Sequence, residues 1–463
     1  MTLKLYNSLS KKKEDLKPLK NKIKMYSCGP TVYDNPHIGN FRSFVFFDLL
    51  KKYLNFLNFD VQHVMNVTDI DDKIINKCCG KIKNLELMTK KYFESFKNDA
   101  NKLKIDLPNQ VPFATDHIDE MINLIEKLIL KGHAYKTEDG SVFFKIDSFK
   151  NYGMLSKIDF SQLSKTDRIK NDEYDKNSIN DFALWKSRKV NDGDIFWNSP
   201  WGNGRPGWHI ECSAMSLKYL GAQFDIHCGG IDLLFPHHEN EIAQSVCATN
   251  KTFAKLWVHC EHLLINGSKM SKSLNNFYTL NDIIKKGYNV NTIRFFLISS
   301  SYSHKIDLND VNLNSSNSAL KRIQDFYNRI FELSKGDVEI DDNKIMNTQL
   351  IVDFKIAMND NLNMSKALSV IFNYIKKINI KLDKKQMTYK ESILTLAALN
   401  KIDEVLGVIR SSEIKLSKND KKLIEERNLA RKNKNWDRAD EIRLFFKKKG
   451  IDIDDSEAGI IIK

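Results

Sequence analysis

The chain of 463 residues carries 72 Lys and Arg against 59 Asp and Glu, a formal charge of +13, and is 42% hydrophobic, with a pI near 9.1. That apolar content supports packed cores and excludes wholesale disorder, and the length allows roughly three to four domains of about 150 residues. The basic excess favours a polyanionic partner, and with no uncharged apolar run near the roughly 18 residues of a membrane span, no membrane partner is expected. The seven cysteines all lie at or before Cys260, and Met1 to Asn7 lacks the apolar core of a secretion signal. The expectation is a soluble, cytoplasmic protein whose reduced thiols are free to bind metal.

Lys22 to Ser27 reads as a short strand running into the turn Cys28-Gly29-Pro30. Pro36 opens an apolar helix to about Leu57, and Asp60 to Val67 alternates as a strand does. Strand, turn, helix and strand in that order make a βαβ unit, hence a parallel sheet with ligands at its carboxyl edge. The stretch from about 110 to 200 is polar and less regular, as an insertion between two halves of a sheet would be. A second strand and turn, Phe224 to Gly230, precedes a helix expected to begin near Pro236.

All eight prolines occur by Pro236, so the remainder is expected to be dominated by long helices, from about Asn291 onward. Lys418 to Lys449 has the pattern of a charged helical hairpin; Gly450 ends it, and Ile451 to Ile453 and Ile460 to Ile462 read as two short strands. The expected fold class is α/β: a Rossmann-type parallel-sheet catalytic domain with an insertion, then a helical bundle and a small α+β C-terminal domain. The expected divisions are 1–110 with 200–265 for the split catalytic domain and 111–199 for the insertion. They continue with 266–312 for a mobile signature loop and stem-contact segment, 313–402 for the bundle and 403–463 for the tail.

Three clusters carry chemistry. Pro36-His37-Ile38-Gly39-Asn40 sits at a helix N-terminus, where unpaired amides attract anions and Gly39 lets a nucleotide approach the backbone. His37 and Asn40, three apart, share one helical face. Gly267 to Ser273 supplies Lys269, Ser271, Lys272 and Ser273 on a Gly-preceded loop suited to closing on a triphosphate. Alone, the first is also compatible with a plain helix start and the second with a solvated charged loop. Together, in this order, they point to an enzyme gripping ATP phosphates from two sides. In the third cluster, Phe235 to Glu241, His237 and Glu241 are four apart and share a helix face, with His238 and Glu239 pointing elsewhere. Two thiolates would complete a tetrahedral zinc site; Cys28 and Cys212 are plausible donors, though spacing alone does not choose among seven cysteines. Cys78, Cys79, Cys228, Cys247 and Cys260 read as ordinary small apolar residues.

Pro30 to Asn40, Asn66 to Lys73, Gly204 to Met215, Gly229 to Gln244 and Lys269 to Ser273 together resemble the class I aminoacyl-tRNA synthetases, in their cysteinyl family. That resemblance implies cysteine activation by ATP and transfer to the 3′-terminal ribose of tRNA(Cys), on a chain expected to be monomeric. It implies Cys28, Cys212, His237 and Glu241 as ligands of one zinc ion. His37, Asn40, Lys269 and Lys272 would carry catalysis; His37, Gly39, Asn40, Gly230, Asp232 and Lys272 would bind ATP with its Mg2+; Cys28, Thr68, Trp208 and His227 would line the cysteine pocket. Asn40 departs from the His usual in that class, and the Ala458 to Lys463 end lacks the family's usual Thr/Trp-containing terminus. Leu429 to Asp440 joins basic residues to Trp436, which could stack on a base or pack between two helices. Two rivals share some of these motifs: a ligase passing cysteine to an amine, which would lack the tail, and a silent zinc-bearing RNA-binding protein, which has no use for His37, Lys269 and Lys272 together.

Overall fold

The computed structural model describes residues 2–19, 22–157, 181–270, 276–336, 340–409, 418–433, 435–448, 453–456 and 459–462. Lys272, with Ser271 and Ser273, lies outside them. The chain divides into two units, Met1–Gly407 and Val408–Lys463.

The first unit is built on four parallel strands in the order Ala254–Cys260, Phe224–Gly230, Lys22–Ser27, Asp60–Met65. Both faces are covered, so the strands read as near-continuous buried runs, with Ile23, Met25, Tyr26, Phe224 and Ile226 sealed from water. The Ile38–Phe56 helix makes the first crossover. It is apolar nearly all round because it packs on several elements at once. Phe41 and Phe44 both meet Phe96 of the Ile82–Lys102 helix, while Tyr53 and Phe56 meet Phe354 of the Gln349–Asn359 helix.

The 110–200 stretch is more regular than its composition suggests. Ala134–Lys136, Val142–Phe144, Phe182–Ser187 and Gly204–Pro206 form an antiparallel four-stranded sheet. Three of these strands have three residues each, too short for alternation to register. An N-terminal hairpin, Lys4–Asn7 with Lys12–Asp15, was likewise not expected. It is anchored on the central sheet by Ser8 N–H donating to the Trp257 carbonyl at 2.8 Å.

The expected helices follow, including Asp310–Ser334, Met364–Asp383 and Tyr389–Leu406. Among the described residues no helix is long and apolar enough to cross a membrane. The helical part is fastened to the sheet part by two buried arginines that reach in opposite directions. Arg42 of the first crossover helix donates to the carbonyls of Leu297 and Ser301. Arg294, in the Val290–Ile298 helix, pairs with Asp48 at 2.6 Å and donates to the carbonyls of Leu103 and Leu406. Arg294 and Asp48 have fully buried side chains.

The second unit pairs the Lys418–Lys432 and Trp436–Lys448 helices around Ile442 and Phe446. It ends in an antiparallel hairpin of Ile453–Ser456 with Gly459–Ile462; Ile451 and Asp452, expected in its first strand, lie outside the described residues. Trp436 is not packed between the helices: it is 55% exposed, with the Arg431 guanidinium 5.8 Å from its ring centre.

Removing one partner of a buried ion pair strands the other charge, at a cost of about 3–5 kcal/mol. Arg294→Met is therefore expected to lower the unfolding midpoint clearly in a thermal or urea titration. Asp383→Asn, at the exposed pair with Arg329, is expected to leave it in place.

Candidate active site

The four parallel strands end at one edge, and the loops leaving that edge enclose a cavity of about 370 Å³. Cys28 follows the Lys22–Ser27 strand, Asn66 and Thr68 follow Asp60–Met65, Gly230 ends Phe224–Gly230 with Asp232 after it, and Glu261 and His262 follow Ala254–Cys260; all seven line the cavity. Order reverses between the two middle strands, where crevices form in open parallel sheets. Gly29 is required here: a Cβ at that position would stand 1.6 Å from the Asn66 carbonyl oxygen.

On one wall, His37 caps the Ile38–Phe56 helix. Its Nδ1 accepts from Asn40 N–H and the Asn40 Oδ1 accepts from His37 N–H, each at 3.1 Å. This box fixes chemistry as well as geometry. With Nδ1 accepting, a neutral His37 carries its proton on Nε2; with Oδ1 accepting, Asn40 has its Nδ2 donors to offer. Gly39, Lys269 and Met270 also line the cavity. Lys269 ends the short Ser268–Lys269 strand and is exposed.

At the floor, Cys28, Cys212, His237 and Glu241 bring one donor atom each within 4.8 Å of one another, all buried. Three of these residues, Cys28, Cys212 and His237, face the cavity. Burial pushes the Cys28 thiol and the Glu241 carboxyl well above their usual ranges and the His237 imidazole well below its own. Each group is thus held away from its charged form. Among the described residues no Lys or Arg pairs with Glu241; its partners include His227 at 2.9 Å, His237 at 3.2 Å and the Cys28 thiol at 4.0 Å. Two sulfurs, one imidazole nitrogen and one carboxylate oxygen form the donor set of a tetrahedral zinc site, and a divalent cation is what would draw the thiols and carboxyl into ionisation. The residues fit such an ion.

The surrounding layer is rich in histidine. His209 Nδ1 lies 3.0 Å from His237 Nδ1, leaving His237 Nε2 on the Glu241 side. His227 does not line the cavity; it is fully buried behind Glu241 and stacked on Trp257. Trp208 lines the cavity and stacks on His237 at 4.4 Å.

His238 corrects the sequence reading. It points into the cluster, with Nε2 3.2 Å from Cys28 Sγ, and forms a second four-donor group with Cys28, His227 and Glu241. His238 and Glu241 are three apart, a spacing that shares a helix face as four does; the extended Phe235, with φ −141 and ψ 134, lies before both histidines, while His238 and Glu239 keep helical angles.

Asn66 and Glu211, the neighbours of Thr68, were not read from the sequence as site residues. Thr68 donates to Glu211 Oε2 at 2.9 Å and accepts from Asn66 Nδ2 at 3.1 Å. Glu211 is completely buried, which drives its carboxyl well above the usual range; nearby Asp69 is pushed up to about 6, also by burial. A glutamate in a helix ordinarily reads as surface, and its one signal was adjacency to Cys212. The five other cysteines, Cys78, Cys79, Cys228, Cys247 and Cys260, belong to neither donor group.

Comparison with known proteins agrees with this architecture. The family described as "tRNA synthetases class I (C) catalytic domain" matches residues 15–318, and the "DALR domain" matches residues 353–410. A "Cysteine--tRNA ligase" of Brachyspira hyodysenteriae is 43% identical over 98% of this chain and 98% of its own length. Another, from Chlamydia muridarum, is 42% identical over the whole of both. A Mycobacterium tuberculosis methionyl-tRNA synthetase bound by methionyl-adenylate shares the fold, with a TM-score of 0.60 at 14% identity over 83% of this chain and 92% of that one. The catalytic-domain match covers more than half the sequence and the identity runs end to end, so the chain belongs to the cysteine–tRNA ligase family of the class I tRNA synthetases.

Proposed function

We propose that this chain activates L-cysteine with ATP as cysteinyl-adenylate and transfers the cysteinyl group to the 3′-terminal ribose of tRNA(Cys). The observation that carries the reading is the Cys28, Cys212, His237 and Glu241 donor group on the floor of the cavity whose wall bears the His37–Asn40 cap.

Zinc held by those four residues would supply selectivity, because it binds a soft thiolate far better than a neutral hydroxyl and favours the thiolate form of a bound thiol. Cysteine and serine differ by one atom, a difference an apolar pocket resolves poorly. Cys28, Thr68 and Trp208 stand close enough to the floor to border the amino acid, with His227 acting from behind through Glu241.

For the reaction itself, the substrate carboxylate attacks the α-phosphorus of ATP and pyrophosphate departs. His37 Nε2–H, the Asn40 amide and the Lys269 ammonium are the donors set to stabilise that charge, joined by Lys272 from the signature loop. Gly230 and Asp232 would hold the adenosine, and Mg2+ would accompany the triphosphate. A ribose hydroxyl of the tRNA then attacks the adenylate carbonyl and AMP leaves. No side chain here is cast as a general base; positioning and electrostatics carry both steps. The helix pair and hairpin of Val408–Lys463, with exposed Trp436 beside Arg431, are a suitable platform for an unpaired tRNA loop.

The purified chain is expected to catalyse cysteine-dependent ATP–pyrophosphate exchange and to contain about one zinc per molecule. Chelation, or His237→Ala, should remove both the metal and the exchange; exchange with serine at the cysteine rate, or exchange that survives metal loss, would sink the selection scheme. A chain ending at Leu416 is expected to keep the exchange and lose most tRNA charging, as read by acid-precipitable radiolabelled cysteine. Equal loss of both would show that the tail is needed for the catalytic unit itself.

A further inference from the structure

A second cavity, of about 440 Å³, shares no lining residue with the first. Its walls come from distant parts of the chain: Leu9 of the N-terminal hairpin turn, Phe149 and Met154 of one loop, Val246 of the Glu239–Thr249 helix, and Phe253 and Trp257 at the Ala254–Cys260 strand. The loop is bonded to the helix. Glu239 accepts from Leu155 N–H at 3.1 Å and from Ser156 N–H at 2.8 Å, and the Tyr152 hydroxyl donates to Asn240 Oδ1. Glu239 and Asn240 are buried, so lifting the loop away would leave buried acceptors without donors.

The interior and the mouth of this cavity differ in character. Phe253 and Trp257 are buried and give it an aromatic interior, whereas Asn250, Lys251 and Thr252 line its mouth and are exposed. The lining includes Lys251 and no Asp or Glu. A second cation stands close by: Lys131 Nζ donates to the carbonyls of Cys247 and Ala248 at 3.2 and 2.8 Å, offsetting the negative end of that helix. An apolar interior of this size with a cation at its entrance suits a flat aromatic body that carries one anionic group. An uncharged aromatic would forgo the lysine, and a cationic one would be repelled by it.

Trp257 joins this cavity to the floor of the active site. Its ring centre lies 4.4 Å from that of His227, with the planes 15° apart, and His227 Nε2 lies 2.9 Å from Glu241 Oε2. We propose that the second cavity is an effector site for an aromatic carboxylate, and that its occupancy tightens cysteine binding through Trp257 and His227. An occupant packs against Trp257 where the indole now borders a void, and so restrains the stack that holds Glu241. The binding site stands on the cavity alone; its link to cysteine rests on the cysteine-activating reading of the active site.

The test titrates 2-naphthoate into the metal-loaded full chain by calorimetry, without cysteine or ATP, beside 2-naphthalenemethanol as its uncharged counterpart. Saturable binding of the acid is expected, with a Kd on the order of 0.1 mM. Lys251→Glu should weaken the acid about fivefold or more and the alcohol by no more than about twofold. Val246→Trp, which fills the cavity, should abolish binding of both; if it fails to fold, the exposed Lys251→Glu decides. In cysteine-dependent ATP–pyrophosphate exchange, saturating 2-naphthoate is expected to lower KM for cysteine about twofold or more, and to leave it unmoved in Val246→Trp. Absence of saturable binding, or an affinity for the acid indifferent to Lys251→Glu, overturns the site. An unmoved or raised KM in the wild type overturns its role as an effector site. A chain that binds the acid yet catalyses no exchange overturns the proposed activity, and with it the link to cysteine, while the binding site stands.

Discussion

The strand Lys22–Ser27 is bonded on both sides, and that double ladder is the constraint on which the rest depends. Tyr26 sits opposite Val64 on one side and His227 on the other. Side chains alternate across a sheet, so a slip of one residue on either side would turn an inward face outward. With the register held, Ser27 stands opposite both Met65 and Cys228, so Cys28 and Asn66 leave the sheet level while Phe224–Gly230 runs two residues further. The cavity forms where these ends gather at one edge.

Around this edge, polar groups are buried to an extent a soluble core rarely tolerates. His227, His237, His238, Glu239, Glu241 and Glu211 have at most 1% exposure. The network works because most members bond to one another: His238 Nδ1 meets His259 Nε2 at 2.8 Å, and His259 Nδ1 meets Ser8 Oγ at 2.7 Å. Ser8 belongs to the N-terminal hairpin segment, so the floor of the site is braced from the far end of the sequence. Such networks are rigid when satisfied and costly when broken.

Much of this was legible in the sequence. Lys22–Ser27 was read at its observed limits because it runs into a clear turn; Phe224–Gly230, read as a strand and turn, is strand throughout. The pairing of His237 with Glu241 came from spacing, and His238 and Glu239 between them do keep helical angles. Spacing could not choose Cys28 and Cys212, because their meeting depends on a loop and a helix nearly two hundred residues apart. His238 was misread because only the spacing of four was counted, although a residue three before Glu241 shares that face as well. Glu211 was invisible: nothing in a helical Glu announces that both faces of its helix are covered. The sheet of 134–206 escaped because three-residue strands carry too little pattern.

The capping box at residue 37 ties two properties that are usually separable. His37 and Asn40 complete the first turn of a 19-residue helix and, by the same bonds, fix which of their nitrogens carries a hydrogen toward the cavity. Local fraying of that turn would therefore erase a hydrogen-bonding pattern along with a few backbone bonds. Stability of the helix end and readiness of the site become one quantity. For mutational drift, position 40 admits side chains that can accept from the backbone and donate outward at once, a short list on which asparagine qualifies and lysine does not.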